Sequence, residues 1–119
     1  MKNFKQLFQF QSSEARKTLA ASRPIAKILG IKILAAPPIN PDQDFQRLLI
    51  VTPRRSGSAT QRNKIRRRLK SIFWESEHSA PPPEIPPRDF MAIIYKESHS
   101  IDFDTLKAFL NTALTKTRK

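Results

Sequence analysis

The sequence predicts an α+β fold, a two-layer α/β sandwich in which helices pack on one sheet. Two observations support this prediction. Apolar runs of strand length alternate with segments of helical periodicity, and the most basic segment is itself a helix with an apolar stripe. The predicted order of elements is α-β-β-(β)-α-β-α, with one strand optional. A chain of 119 residues is sized for one such domain with a modest core.

The first predicted element is a short helix that follows an N-terminal arm. Residues 1–11 hold three Phe and one Leu among polar residues, which predicts an N-terminal arm that is either loosely held or a strand that folds against a partner. Ser12 or Ser13 is the expected N-cap of a helix over residues 12–21. Glu14 then lies in the first turn, where the helix dipole favours a carboxylate.

Two apolar runs follow and predict strands. Pro24 ends or follows the first helix. Residues 25–36 are rich in Ile and Leu, as expected of a strand with much of both faces covered. Residues 37–44 form a Pro-rich turn or loop. Residues 45–53, FQRLLIVTP, predict a buried central strand that ends at Pro53, because proline cannot donate to a strand ladder.

The segment from residue 59 to residue 74 lacks Gly and Pro and predicts an amphipathic helix. Ser58 is its expected N-cap. The stripe that faces the core has helical spacing and consists of Ile65, Leu69, Ile72 and Phe73. The opposite direction holds Asn63, Arg67, Lys70 and Trp74. The helix is therefore predicted to be anchored to the core and to hold its charges in position.

A loop, a strand and a helix complete the single predicted domain, residues 12–119. Residues 79–88 contain five prolines and are expected to form an extended loop. Residues 89–95, DFMAIIY, predict a strand, and Asp102 or Asp104 is expected to cap the last helix. The predicted inner face of that helix consists of Leu106, Phe109, Leu110, Ala113 and Leu114.

The charge balance indicates a polyanionic partner. Lys and Arg number 22 against 10 Asp and Glu, which gives a net charge of +12. Such an excess destabilises a compact monomer by self-repulsion unless a polyanion neutralises it. No apolar run approaches the roughly 20 residues that span a bilayer, so nucleic acid is favoured over a membrane. The absence of cysteine excludes disulfides and thiolate metal sites and fits residence in the cytoplasm.

The charge is concentrated in residues 62–70, RNKIRRRLK, where six of nine side chains are cationic. No acidic residue occurs from Phe45 to Trp74, so no ion pair within this segment can neutralise the block. Four of the six cations are Arg, whose planar guanidinium binds phosphate oxygens bidentately and stacks on bases. A solvated charged face is the simpler alternative, and this composition favours a nucleic-acid surface over it.

Residues 54–73, RRSGSATQRNKIRRRLKSIF, resemble the signature of the protein subunit of bacterial ribonuclease P. In that family, a basic strand end and a Gly-x-Ala turn lead into an Arg-Asn-x-hydrophobic-basic-Arg helix. The matching residues here are Arg54, Arg55, Gly57, Ala59, Arg62, Asn63, Ile65, Arg66 and Arg67, followed by Leu69, Lys70 and Phe73. The order of the remaining elements also agrees, so the resemblance covers roughly residues 12–116.

The resemblance implies the RNA-binding subunit of a ribonucleoprotein endonuclease, a hydrolase that removes the 5′ leader of precursor tRNA. It implies that the RNA subunit is the catalyst and holds most of the Mg²⁺ ions, so that the protein has no catalytic or metal-binding residue. The implied partners are the ribonuclease P RNA and precursor tRNA, with no protein partner required. A left-handed β-α-β crossover around the basic helix is also implied, although right-handed crossovers are the rule.

The resemblance also assigns two sets of site residues. The expected RNA-binding residues are Arg54, Arg55, Arg62, Asn63, Arg66, Arg67 and Lys70. The expected cleft for the leader lies between the first helix and the sheet and includes Ala15, Leu19 and Lys32. The family commonly carries two aromatic residues in its first helix, where this chain has Ala15 and Leu19.

No feature of the sequence predicts a hydrolytic site made by the protein alone. No carboxylate pair stands out, no Ser has a base beside it, and His78 and His99 lie in segments predicted to be polar loops. Two alternatives stay open: a ribosomal or other structural RNA-binding protein, and a DNA-binding regulator that reads the major groove. The second is disfavoured because no second helix lies at turn spacing and strands flank the basic helix.

Overall fold

Four helices and four strands make up the described part of the chain, residues 4–38, 45–79 and 88–116 of a computed structural model. The helices are α1 (Phe4–Leu7), α2 (Ser12–Ala21), α3 (Ala59–Ser79) and α4 (Phe103–Lys116). The strands are β1 (Arg23–Ile28), β2 (Ile31–Ala36), β3 (Arg47–Val51) and β4 (Asp89–Ile94). Two short 3₁₀ helices, Arg54–Ser56 and Lys96–Ser100, precede α3 and follow β4.

The four strands form one mixed sheet in the order β1-β2-β4-β3. β1 pairs with β2 and β2 with β4, both antiparallel, whereas β3 and β4 are parallel neighbours. The chain therefore passes from β3 through α3 to β4 in a single β-α-β crossover. The predicted α+β class is confirmed, while the left-handed sense of the crossover stays a prediction.

The prediction of a central strand at residues 45–53 was wrong, because β3 lies at the edge of the sheet and β4 lies inside it. The apolar composition of β3 has another cause. Leu48 is fully buried in the core, and α1 packs beside the strand. An edge strand that is covered in this way carries as many apolar residues as a central one.

The apolar run at residues 25–36 is divided into a hairpin. Gly30 has a φ of +97° at the turn between β1 and β2, a conformation that glycine adopts at no steric cost. Pro24 follows α2, as predicted, and it lies within β1 at the edge of the sheet, where a missing N–H is tolerated. The optional strand of the predicted order is therefore present.

The helix starts were predicted with mixed success. Ser58 caps α3 as predicted, since its Oγ accepts from the Gln61 N–H at 3.1 Å while the Gln61 side chain accepts from the Ser58 N–H at 3.0 Å. Asp102 caps α4, and its carboxylate accepts hydrogen bonds from Thr105. The N-cap of α2 is Gln11 rather than either serine, because Glu14 accepts a hydrogen bond from the Gln11 N–H.

One hydrophobic core fills the space between the sheet and helices α3 and α4. The four residues of the predicted α3 stripe are at most 3% exposed. Four of the five residues predicted for the inner face of α4 are buried, and Phe109 packs against their margin. Trp74 was predicted to point outward, and this was wrong, because its large ring packs partly against the edge of this core. Residues 80–87 of the predicted Pro-rich loop lie outside the described residues.

Residues 4–11 pass around the outer edge of β3. Leu7 of α1 is 3% exposed in the core, and the Phe8 ring contacts Phe73 edge to face, with 5.7 Å between ring centres. The chain then reaches the other side of the sheet. Leu48 points into the core, so the adjacent Arg47 points to the opposite face.

Arg47 is the centre of a buried cluster that joins this N-terminal segment to the sheet. Its guanidinium donates to both carboxylate oxygens of Asp89, at 3.1 and 2.9 Å. It also donates to the Gln9 carbonyl at 3.1 Å and to Glu14 at 3.3 Å, and it lies 4.1 Å from the centre of the Phe10 ring. We call these five residues the Arg47 cluster. Glu14 belongs to α2, so α2 lies on the face opposite α3 and α4.

Burial of the Arg47 side chain disfavours its charge. The hydrogen bonds and the negative charges of Asp89 and Glu14 outweigh that effect, and together they raise the pKa of Arg47. The guanidinium therefore stays charged inside the protein. Both side chains of the pair with Asp89 are nearly inaccessible to solvent, so this ion pair is structural.

Candidate nucleic-acid interface

The outward face of α3 forms an open groove of about 570 Å³ that is lined by cationic and amide side chains. The lining residues are Thr60, Asn63, Arg66, Arg67 and Lys70. Four of these belong to the predicted RNA-binding set. They come together because residues 63, 66, 67 and 70 lie three or four positions apart on one helical face, while Leu69 anchors the opposite face in the core.

Hydrogen bonds on the helix surface orient the groove side chains. The Arg66 guanidinium donates to the Asn63 side-chain oxygen at 2.7 Å and to the Arg62 carbonyl at 3.4 Å. A guanidinium held flat along a helix presents its remaining N–H groups outward as a fork. The Lys70 ammonium lies 5.5 Å from the centre of the Phe8 ring, so α1 borders the groove at its far end.

Arg54 and Arg55 extend the basic surface at the start of α3. Both are exposed on the first 3₁₀ helix, directly after β3. Gly57 follows with a φ of +147°, and a Cβ at this position would collide with the side chains of His99 and Gln61. The turn that carries the two arginines is therefore tightly packed.

His99 takes part in that packing, which differs from the prediction for the histidines. Its Nε2 forms a hydrogen bond with the Ser56 carbonyl and joins the second 3₁₀ helix to the first. His78 lies within α3 rather than in a loop, because the helix runs five residues beyond Trp74. The contact between His99 and Ser56 was not visible in the sequence, since the two residues are distant along the chain.

The groove cations lack acidic neighbours in the part of the chain that the structure describes. The ion pairs found there join Arg47 to Glu14 and Asp89, and Lys107 to Glu75. None of them involves a predicted RNA-binding residue. Arg62 is half-buried at the border of the apolar stripe, and its Nε has no hydrogen-bond partner among the described atoms.

The three residues predicted for the leader cleft lie on the other side of the sheet. Lys32 alternates with Ile31 and Ile33, which are fully buried in the core, so its side chain points to the face that carries α2. Helix α2 contacts β2 and β4. Ala15 is half-buried there, and Leu19 is 55% exposed. The protein therefore has two separate candidate surfaces, the α3 groove and this second face.

The described residues contain neither a membrane-spanning helix nor a group of side chains suited to a metal ion. Within residues 4–38, 45–79 and 88–116, no helix has the length and apolar composition needed to cross a membrane. The same ranges hold no cluster of three or more His, Cys, Asp or Glu side chains that could hold a metal ion.

Comparison with known proteins gives a family and a fold. The family model described as Ribonuclease P matches residues 2–118. A Staphylococcus aureus RNase P protein mutant with defective mRNA degradation activity superposes with a TM-score of 0.77 at 18% identity, covering 95% of this chain and 89% of that one. The RNase P protein from Thermotoga maritima superposes with a TM-score of 0.73 at 22% identity, covering 92% of this chain and 96% of that one. No curated protein matches the chain.

Proposed function

The chain belongs to the ribonuclease P protein family, and from this premise we propose that it binds the catalytic RNA of ribonuclease P and contacts the 5′ leader of precursor tRNA. In this role the protein is a subunit of a ribonucleoprotein endonuclease that hydrolyses one phosphodiester bond. The RNA is proposed to carry the catalysis and to hold most of the Mg²⁺ ions. The proposed location is the cytoplasm, where precursor tRNA and the RNA subunit are available.

The observation that carries this proposal is the basic α3 groove without acidic partners in the described structure. A cationic face that exists for solubility alone has no need of fixed side-chain positions. Here the buried stripe fixes the helix that carries the cations, and the bond from Arg66 to Asn63 orients one guanidinium of the groove. Spaced guanidinium forks match phosphate oxygens along an RNA backbone.

The proposed binding energy comes largely from the release of counterions. Each phosphate that a groove cation neutralises frees condensed cations from the RNA, so affinity falls as salt concentration rises. The groove and Arg54 with Arg55 are therefore proposed to contact the RNA subunit. The second face, with Ala15, Leu19 and Lys32, is proposed to contact the leader.

The division of labour follows from chemistry that the protein does not need to supply. Hydrolysis of a phosphodiester requires an activated water and stabilisation of the charge on the leaving oxygen, and two metal ions provide both. The proposed contribution of the protein is to neutralise charge where RNA strands approach each other and to position the leader. Both effects lower the Mg²⁺ concentration that the RNA needs.

The test is cleavage of precursor tRNA at low Mg²⁺ by the cognate ribonuclease P RNA, with and without the protein. We expect the protein to restore cleavage at the mature 5′ end. The double variant Arg62→Ala and Asn63→Ala should lose this stimulation. Lys107→Ala is the matched control, because it removes a cation that pairs with Glu75 outside the groove, and it should stimulate like the unchanged protein.

A second reading of the same surface is a structural RNA-binding protein that has no role in tRNA cleavage. It shares the basic groove and predicts tight binding without stimulation. Tight binding of the cognate RNA with no gain in cleavage would therefore replace the proposed function by this alternative.

A further inference from the structure

Residues 53–57, here called the basic turn, carry Arg54 and Arg55 between β3 and α3. The backbone hydrogen bonds described for this turn run between its own residues. The hydrogen-bond ladder of α3 starts only after the turn, with the bond from the Arg62 N–H to the Ser58 carbonyl at 2.9 Å. In the described structure, backbone pairing with the neighbouring strand and helix therefore does not orient the two arginines.

His99 supplies the bond that ties the basic turn to another part of the fold. Its Nε2 donates to the Ser56 carbonyl, since a carbonyl oxygen can only accept. The imidazole also packs on Gly57, where a Cβ would lie 2.5 Å from Nε2 of His99 and 2.8 Å from the Gln61 side chain. Gln61 shares reciprocal hydrogen bonds with Ser58, so the imidazole meets both the basic turn and the start of α3.

The second 3₁₀ helix, which carries His99, is itself anchored in the protein interior. Ser98 is fully buried, and a Cβ at Gly30 would come within 2.3 Å of the Ser98 backbone nitrogen. The Ser98 N–H donates to the Tyr95 carbonyl, and the Ile101 N–H donates to the Ser98 carbonyl, each at 3.1 Å. Ile101 packs against the core. The imidazole therefore reaches the basic turn from a support that is fixed on both sides.

We propose that His99 is a positioning residue for RNA binding, which holds Arg54 and Arg55 in a fixed place relative to the α3 groove. Ordering a loop and its side chains at the moment of binding lowers affinity. The bond from His99 to Ser56 orders the basic turn when the protein folds, so this cost does not fall on RNA binding. The inference rests on the proposed function, which makes the two arginines contacts to the ribonuclease P RNA.

The first test measures the order of the basic turn without RNA. Trypsin cleaves after Arg54 and Arg55 only when the chain opens locally, and fragment masses identify the bonds that are cut. His99→Ala should raise the rate of these two cleavages about 5-fold, the value of one net hydrogen bond. His99→Leu, which keeps an apolar side chain but has no donor, should behave in the same way.

Two further variants separate the hydrogen bond from the bulk of the side chain. In His99→Gln the amide nitrogen lies as many bonds from Cβ as Nε2 does and donates an N–H, so cleavage should match that of the unchanged protein. Ser100→Ala is the matched control, because it removes an exposed hydrogen bond to the Glu97 carbonyl on the same 3₁₀ helix. It should leave cleavage unchanged. Thermal melting of each variant verifies that the domain stays folded at the assay temperature.

The second test measures affinity for the cognate ribonuclease P RNA. His99→Ala should lower affinity about 5-fold, and His99→Gln should restore it. In a protein that already carries Arg54→Ala and Arg55→Ala, His99→Ala should cause no further loss, because the turn then has no arginine left to position. A residue that acts through the shape of the whole domain would lower affinity by the same factor in both backgrounds.

Three results would overturn the inference: unchanged trypsin cleavage in His99→Ala, equal affinity losses in both backgrounds, or a loss that His99→Gln shares. Failure of the proposed function gives a different result, since the unchanged protein would then not stimulate cleavage of precursor tRNA. In that case the trypsin test decides alone. Faster cleavage in His99→Ala that His99→Gln reverses supports the ordering of the basic turn by His99, and unchanged cleavage rejects it.

Discussion

Arg47 and the arginines of the α3 groove are the same residue type in opposite surroundings. Arg47 lies in the protein interior and is neutralised by Asp89 and Glu14. Arg66 and Arg67 lie on a surface where the described structure contains no carboxylate partner. The first arginine stabilises the fold, and the others raise the electrostatic energy of the free protein.

This difference shows that net charge alone does not identify a binding surface. A charge of +12 could be spread over a chain whose cations are paired as Arg47 is. What indicates a polyanionic partner is a group of cations that form no ion pair within the described structure, on a helix whose other face is fixed in the core. The predictions below test each side of this contrast, beginning with the largest expected effect.

A carboxylate placed in the core without a cation should unfold the domain. Leu69 is fully buried among apolar side chains. Leu69→Asp would therefore bury a carboxylate without a cation beside it, whereas the buried Asp89 is paired with Arg47. We expect loss of the folded far-UV circular dichroism spectrum. Lys70→Asp is the matched control one residue away, on the groove side, and it should stay folded. A folded Leu69→Asp protein would show that the core stripe is misplaced.

Removal of one partner from the buried ion pair should be the next largest effect. Asp89→Asn leaves the Arg47 charge buried with less compensation, and the expected loss is about 3–5 kcal/mol in the free energy of unfolding. Urea denaturation measures this loss. Arg67→Ala, which removes an unpaired surface arginine, should change the free energy by less than about 0.5 kcal/mol. Equal effects of the two variants would remove the distinction between the two kinds of arginine.

Removal of the groove cations should change binding and leave stability intact. Arg66→Ala combined with Arg67→Ala should lower RNA affinity and reduce its salt slope by roughly one to two, one unit for each lost phosphate contact. Filter binding over a range of salt concentrations measures the slope. An unchanged slope would exclude this helix face from the RNA interface.

The smallest expected effect concerns Asp102, a surface carboxylate that accepts hydrogen bonds at the start of α4. Hydrogen bonds from the Thr105 hydroxyl and N–H lower the pKa of Asp102 below its ordinary value of 3.8. The charged cap therefore stabilises α4 fully above that value, and the contribution is lost as the pH falls through the lowered pKa of the folded protein. Asp102→Asn should be less stable than the unchanged protein near neutral pH, and the difference in melting temperature should shrink in acid. A difference that is constant with pH would contradict this assignment.

Local features of the sequence were sufficient to predict the basic helix α3. The stripe around Leu69, the cap at Ser58 and the cations of the groove all depend on spacings of eight residues or fewer, and helical periodicity makes such spacings readable. The features that the sequence did not predict depend on distant residues. Arg47 meets Asp89 across 42 positions, and the edge position of β3 depends on where β4 inserts.

The second candidate surface also depends on residues that are distant along the chain. Strand β4 was predicted, but the hydrogen bond from the Tyr95 N–H to the Gly30 carbonyl depends on a register that the sequence does not show. The turn at Gly30 was missed because one glycine among Ile and Leu interrupts a strand pattern only weakly. The apolar pattern therefore did not reveal the hairpin, and the second face was expected from the family resemblance alone.

The strand order has a consequence for the synthesis of this protein. β4 lies between β2 and β3, so the growing chain on the ribosome produces both of its neighbours, and the whole basic helix, before the strand that joins them. Until residues 89–94 emerge, Arg47 has no Asp89 and the groove cations have no sheet to anchor their helix. Native pairing thus waits for one of the last segments to be made, which is typical of slow, non-local folding. Throughout that interval the nascent chain exposes a polycation close to ribosomal RNA.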